Sequence, residues 1–262
     1  MADKPFSDRV KNLGYVPTPT VEGEWTVDKV LSAGSDGPEL TAGTESPVPF
    51  FHLLERLKTT KREGWRRFGV ERGESIADHM FRMSIITLLT PPSLAARLDL
   101  PRCTKMCLIH DMAESLVGDI TPVDGVPKAE KSRRETETVS FISESLLGNV
   151  YGGVPGKELQ EIWQEYEDGE TLEARYVHDV DKMELLLQMF EYEKRSRGEA
   201  NLSEFVYVST KIELPEVKAW AAELLAERAR FWKGQGGEVR GVKGSVAVGP
   251  KAQQDEYYSR KK

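Results

Sequence analysis

From Phe50 to Phe231 the apolar residues of this chain recur at every third or fourth position, and almost nowhere at every second. The first spacing lines one face of an α-helix, whereas a half-buried strand needs the second. Phe50, Phe51, Leu53, Leu54 and Leu57 make a first amphipathic segment. Ser75 offers an N-cap to another, running through Met80, Met83, Ile86 and Leu89 to Pro91. Pro101 opens a third helix, which Gly118 closes. A charged helix is expected over 128–147, with Val139, Ile142 and Leu146 on one side. A short one follows at 157–167, then a long one at 172–197 with Val177, Val180, Leu187 and Phe190 inward. Pro215 begins the last, carrying Val217, Trp220, Ala221, Leu224 and Phe231 at helical spacing. Only Phe205–Val208 offers a short strand-like run. The expected fold is all-α, one helical bundle over residues 46–233.

The flanks read differently. Residues 1–45 are rich in Gly, Pro, Ser and Thr, as in Ala33-Gly34-Ser35-Asp36-Gly37-Pro38, with one short docking helix around Val27, Val30 and Leu31. Residues 234–262 have no period and end in Arg260-Lys261-Lys262. Both are expected to be flexible tails. At 39% hydrophobic and 30% charged residues the chain between them is globular and well solvated. A net charge of −7 gives no general attraction to a nucleic-acid polymer, yet a local cation can still hold one small phosphate. The two cysteines, Cys103 and Cys107, share a helical face and read as small buried hydrophobes in a reducing compartment. No apolar run nears the ~20 residues of a membrane span, and Met1-Ala2-Asp3-Lys4 lacks the start of a secretory leader. A cytoplasmic or nuclear protein with no membrane partner is expected.

Chemistry concentrates in one segment, His110-Asp111-Met112-Ala113-Glu114-Ser115-Leu116-Val117-Gly118-Asp119. Adjacent helical residues project about 100° apart, so His110 and Asp111 can approach one ion from two sides. Glu114 follows them by four and three positions, on the same helix face, and Asp119 stands at the next loop. The segment follows the apolar turn Met106-Cys107-Leu108-Ile109, and a buried imidazole and carboxylate need partners. A metal site and a solvated acidic helix face both fit these residues. A second His-Asp pair, His178-Asp179, shows that the dipeptide alone decides nothing.

Taken together, a His, a His-Asp and a distant Asp resemble the HD superfamily of metal-dependent phosphohydrolases. The sequence is most similar to its 5′-deoxynucleotidase branch, which includes the HD domain-containing protein 2 family. The resemblance rests on Leu57-Lys58-Thr59-Thr60-Lys61-Arg62-Glu63-Gly64-Trp65, Glu74-Ser75-Ile76-Ala77-Asp78-His79-Met80, the His110–Asp119 segment, Pro127-Lys128-Ala129-Glu130-Lys131, and Val180-Asp181-Lys182-Met183-Glu184 with Glu191-Tyr192-Glu193. It covers about residues 46–233 and implies a single HD-domain bundle, a homodimer, and a nucleoside 5′-monophosphate as substrate.

By the same resemblance His79, His110, Asp111 and Asp181 hold a divalent metal: manganese, cobalt, zinc, magnesium, iron or nickel. Glu114 matches the catalytic acid, working with Asp111. Asp119 matches a residue near the sugar or, with Glu114 and the Ile120 carbonyl, near a second cation. Arg62 matches a phosphate-side arginine and Trp65 a pocket aromatic. Here Glu63-Gly64 separates Arg62 from Trp65, which bacterial members keep adjacent. Core packing is the other reading of Trp65. His178 and His52 are expected to be structural, with His52 near the interior. The run Lys128, Lys131, Arg133, Arg134 is either a solvated basic face or an aid to phosphate capture. Two other functions fit the pattern: an HD phosphohydrolase for a different nucleotide, and a non-catalytic nucleotide-binding HD protein.

Overall fold

The computed structural model describes residues 20–33, 40–70, 72–121 and 124–235. Among them are eleven α-helices and no strand. In chain order these are α1 (Val27–Ala33), α2 (Val48–Thr59), α3 (Glu63–Arg66), α4 (Ile76–Thr87), α5 (Pro92–Ala95), α6 (Leu100–Ile109), α7 (Glu114–Val117), α8 (Lys128–Ser140), α9 (Val154–Asp168), α10 (Leu172–Arg195) and α11 (Pro215–Gly234). No described helix is long and apolar enough to cross a membrane. Of the tails expected at 1–45 and 234–262, residues 1–19, 34–39 and 236–262 lie outside the described residues.

The chain gathers into two compact units. The first comprises Met1–Glu63, Arg72–Asp78 and Asp111–Trp163. Its short helix α7 packs against α2 and α8, and α1 packs against α7 and α8. Trp25, Val27 and Val30 are buried there. The α1 segment is fastened at two points: the Val27 N–H donates to Glu137 Oε1 at 2.9 Å, and Arg133 Nη2 donates to the Trp25 carbonyl at 2.8 Å. In the same unit Lys61 and Ser75 form an isolated antiparallel bridge. Arg62 N–H donates to the Glu74 carbonyl at 3.1 Å, so this crossing fixes the backbone of Arg62.

The second unit comprises Gly64–Glu71, His79–His110 and Gln164–Lys262. Its axis is α10, packed against α6, against the 3₁₀ segment Ser203–Lys211, and against α11. Cys103, Met106 and Cys107 form the buried face of α6, as the cysteine spacing predicts. Burial pushes the Cys103 thiol up to about 12. Tyr176, Val177, Val180, Leu186 and Met189 are fully buried on α10.

Three expectations are corrected. The helix expected from Pro101 to Gly118 stops at Ile109 and resumes at Glu114. Between them the N–H groups of Glu114, Ser115 and Leu116 reach back three residues, to Asp111, Met112 and Ala113, in a tighter winding. Gly118 still closes the segment, with a φ of 79° that favours glycine. The helix of 128–147 is α-helical only to Ser140 and widens over Phe141–Leu146 to π geometry, Leu147 N–H reaching the Ile142 carbonyl. That widened stretch sits against Gly156, where an added Cβ would come within 2.3 Å of the Ser143 carbonyl. Phe205–Val208 belongs to the 3₁₀ segment and to no strand, and Phe205 packs on the rings of Trp65 and Phe68.

Candidate metal centre and phosphate site

In the second unit the metal-type residues converge from three helices. Ser75 caps α4: its Oγ accepts from the Asp78 N–H at 3.1 Å, while Asp78 Oδ2 accepts from the Ser75 N–H at 2.8 Å. His79 follows directly and is fully buried. Its Nε2 lies 3.2 Å from Asp181 Oδ1 and its Nδ1 2.6 Å from Glu184 Oε2. Asp181 and Glu184 are one turn apart on α10. His110 stands at the end of α6, 4% exposed, with Nδ1 3.0 Å from the Cys107 carbonyl. The His79 and His110 rings are 5.6 Å apart at 61°, and their candidate ligand atoms lie within 4.8 Å of one another. Asp111 is the next residue of the chain.

This donor set fits a divalent cation. Each imidazole has Nδ1 engaged by a carboxylate or a carbonyl, which leaves Nε2 as the ligand nitrogen. Two such nitrogens with carboxylate oxygens suit borderline metals of the first transition row.

In the first unit four further site residues come together. Arg62 Nη1 lies 3.2 Å from Asp111 Oδ2. The neighbouring Glu63 N–H donates to Asp119 Oδ2 at 2.6 Å, so Asp119 holds the backbone that carries Arg62. Glu114 is 3% exposed, and its Oε2 accepts no hydrogen bond from the described protein atoms. Burial, then the charges of Asp111 and Asp119, push its carboxyl well above the usual carboxylate range, against the pull of Lys131 and Arg62. Ile120 is buried beside Asp119.

The other candidates sort differently. His178 Nε2 binds the Tyr166 carbonyl at 2.9 Å, and its ring stacks on Tyr166 at 4.0 Å. Burial first, then Lys182, lowers its pKa to about 4. Asp179 accepts from the N–H groups of Glu213 and Leu214 at 2.9 and 2.6 Å, ahead of α11. The second His-Asp pair is thus committed to holding helices together. His52 is exposed on α2, a correction to its expected place near the interior: it falls on the solvent side of the Leu53–Leu57 stripe. Trp65 is 2% exposed and packs on Phe205 and Tyr192 at 4.6 and 5.4 Å, the core-packing reading of that residue. Arg133 and Arg134 both bind Glu130, so much of the basic run is a paired surface. Sequence reasoning gave Glu184 and Arg82 no role. The signal available was the Asp181–Glu184 spacing, which puts both carboxylates on one face of α10.

Comparison with known proteins follows the same lines. The HD domain family model matches residues 54–220. The chain is 46% identical over 188 residues to the 5′-deoxynucleotidase hdd1 of Schizosaccharomyces pombe, covering 71% of this chain and 92% of that one. It is 40% identical over 189 residues to the 5′-deoxynucleotidase HDDC2 of Homo sapiens, covering 71% and 88%. Among solved structures, the HD domain-containing protein YGK1 of Saccharomyces cerevisiae is similar with a TM-score of 0.55 at 34% identity, over 71% of this chain and 87% of that one. The PH0347 protein of Pyrococcus horikoshii gives 0.55 at 29% identity, over 70% and 99%. With its helical architecture and its convergent histidines, the chain belongs to the HD domain family.

Proposed function

We propose that this chain is a metal-dependent 5′-deoxynucleotidase, a phosphoric monoester hydrolase that splits deoxynucleoside 5′-monophosphates into nucleoside and phosphate. The observation that carries the reading is Glu114, a buried carboxyl pushed well above the usual carboxylate range by burial and by the charges of Asp111 and Asp119, in the same unit as the Arg62–Asp111 pair. It occurs in a chain 40–46% identical to proteins named 5′-deoxynucleotidases.

The proposed metal ligands are His79, His110, Asp111 and Asp181. When bound, a divalent cation lowers the pKa of its water and polarises a phosphoryl oxygen. Arg62 offers the phosphate a planar fork of donors, and Asp119 steadies it through the Glu63 backbone. Glu114 would give its proton to the departing 5′-oxygen, and burial raises its pKa, the direction that favours a proton donor. In a two-cation variant Glu114, Asp119 and the Ile120 carbonyl serve a second ion instead. Two free, buried cysteines support a reducing compartment, and the cytoplasm is the proposed location.

A homodimer is part of the same reading. Phe81, Ile85, Leu88 and Leu89 are 64, 42, 66 and 73% exposed on one side of α4 and its continuation. Such a stripe is unfavourable in water and supports a second copy seated on it.

The test is phosphate release from nucleoside mono-, di- and triphosphates, ribo and deoxy, over a panel of metals. Deoxynucleoside monophosphates should react fastest, EDTA should abolish release, and manganese or cobalt should restore it. Full activity in thoroughly metal-stripped protein, or a preference for triphosphates, overturns the reading.

A further inference from the structure

His79 and Arg82 are one helical turn apart on α4 and reach the same carboxylate on α10. Glu184 is fully buried; its Oε2 meets His79 Nδ1 at 2.6 Å and its Oε1 accepts from Arg82 Nε at 2.7 Å. A carboxylate without solvent needs compensation, and Arg82 supplies it. The guanidinium is itself held: Nη1 donates to Glu191 at 3.0 Å and Nη2 to Gln188 at 2.7 Å. Residues 184, 188 and 191 lie along one face of α10, so a single arginine is laced to three successive turns. The lacing ends on the nitrogen of His79 opposite to the one that faces Asp181.

We propose that Glu184, clamped by Arg82, is a positioning residue for the metal: it fixes the His79 ring, sets its proton on Nδ1 and presents Nε2 as ligand. The inference rests on the metal reading above. A carboxylate in this position raises the basicity of the imidazole it binds, and its loss weakens metal binding by about 10–100-fold. A purely structural glutamate does not do this. Glu193 provides the comparison: it is fully buried on the same helix, but it binds Arg228, Trp232 and the Leu202 N–H.

The experiment measures cobalt(II) binding to the metal-stripped full chain by competition with a chelator, together with the visible cobalt spectrum. Wild type, Glu184→Gln, Arg82→Met and Glu193→Gln are compared. Glu184→Gln is expected to weaken cobalt binding about 10–100-fold and to shift the cobalt bands. Arg82→Met should weaken it in the same direction by a smaller factor. Glu193→Gln should lower the melting temperature and leave affinity and spectrum at wild type. If Glu184→Gln does not fold, Arg82→Met decides by the same comparison, since that side chain is 27% exposed and tolerant. Wild-type affinity and spectrum in both Glu184→Gln and Arg82→Met overturn the proposal. So does an equal loss in Glu193→Gln, which makes the effect general helix destabilisation. A wild-type protein that takes up no cobalt overturns the metal reading itself, a result distinct from both.

Discussion

A carboxyl surrounded by protein and flanked by two other carboxylates holds its proton far more tightly than one in water, and Glu114 is in that position. Glutamine preserves its shape but has no proton to give. Glu114→Gln is therefore expected to retain the fold and the principal metal while cutting turnover on a deoxynucleoside monophosphate by roughly 10²–10⁴. On p-nitrophenyl phosphate, whose phenolate leaves without a proton, the loss should be much smaller. Equal losses on both, with loss of a second metal, assign Glu114 to metal binding; no loss on either removes it from the reaction. The two His-Asp pairs give a second residue-scale contrast. His110→Ala should lose the metal and His178→Ala should keep it, by elemental analysis of both; the reverse result sinks the ligand assignment. His178 also carries a pH signature. Its folded pKa of about 4 lies below the unfolded value of 6.5, so the unfolded chain binds the extra proton between those pH values. Its contribution is present above pH 6.5 and is lost as pH falls toward 4, up to roughly 3 kcal/mol. The stability of wild type should fall more steeply over that window than that of His178→Ala, by urea unfolding; parallel curves refute it.

At the scale of elements, the ends of helices were legible and their interruptions were not. The Ser75 cap and the Pro215 start were readable because capping is a local, three-residue matter, and α4 and α11 begin there. The break after Ile109 was hidden because His110 to Glu114 suit a helix locally. The tighter winding at Glu114 and Ser115 is a choice among backbone acceptors that side-chain spacing does not record. The π turn over Phe141–Leu146 was hidden for another reason: the glycine beside it, Gly156, is distant in sequence and carries no side-chain pattern. The cap has a consequence for the site, since it stands one turn ahead of His79. Ser75→Ala should cost about 1 kcal/mol of stability. Because the Asp78 side chain still accepts from the backbone N–H of residue 75, metal affinity should change little. A stability unchanged in thermal melts removes the cap from the account.

At the scale of the whole molecule, periodicity says which side of a helix is apolar but not which helix it meets. The pairing of His79 with Glu184 joins residues 105 positions apart, and Arg82 with Glu191 joins residues 109 apart; no spacing rule reaches that far. His110 stood out beside Asp111 and Glu114 in one segment, His79 and Asp181 were nameable only through resemblance, and Glu184, the carboxylate behind His79, was given no role. The same limit applies to surfaces. Met80, Met83, Ile86 and Leu89 read as the inward stripe of α4, yet Leu89 is 73% exposed, and Phe81, Ile85 and Leu88 share its side. On α4, positions 81 and 85 are about 40° apart, and position 79 lies about 160° away from position 81. The exposed residues of α4 and His79 therefore occupy different sides of one helix. Burying a leucine fully is worth about 1.5–3 kcal/mol, and a two-fold interface counts each residue twice. Placing a charge on both Leu88 and Leu89 should then weaken self-association by several orders of magnitude. Sedimentation velocity of the full chain at micromolar concentration is expected to give a dimer for wild type and a monomer for Leu88→Lys with Leu89→Lys. Metal content should be equal in the two, since the substitutions lie away from His79. A monomeric wild type at tens of micromolar, or a double variant that still dimerises, would take the stripe out of the interface.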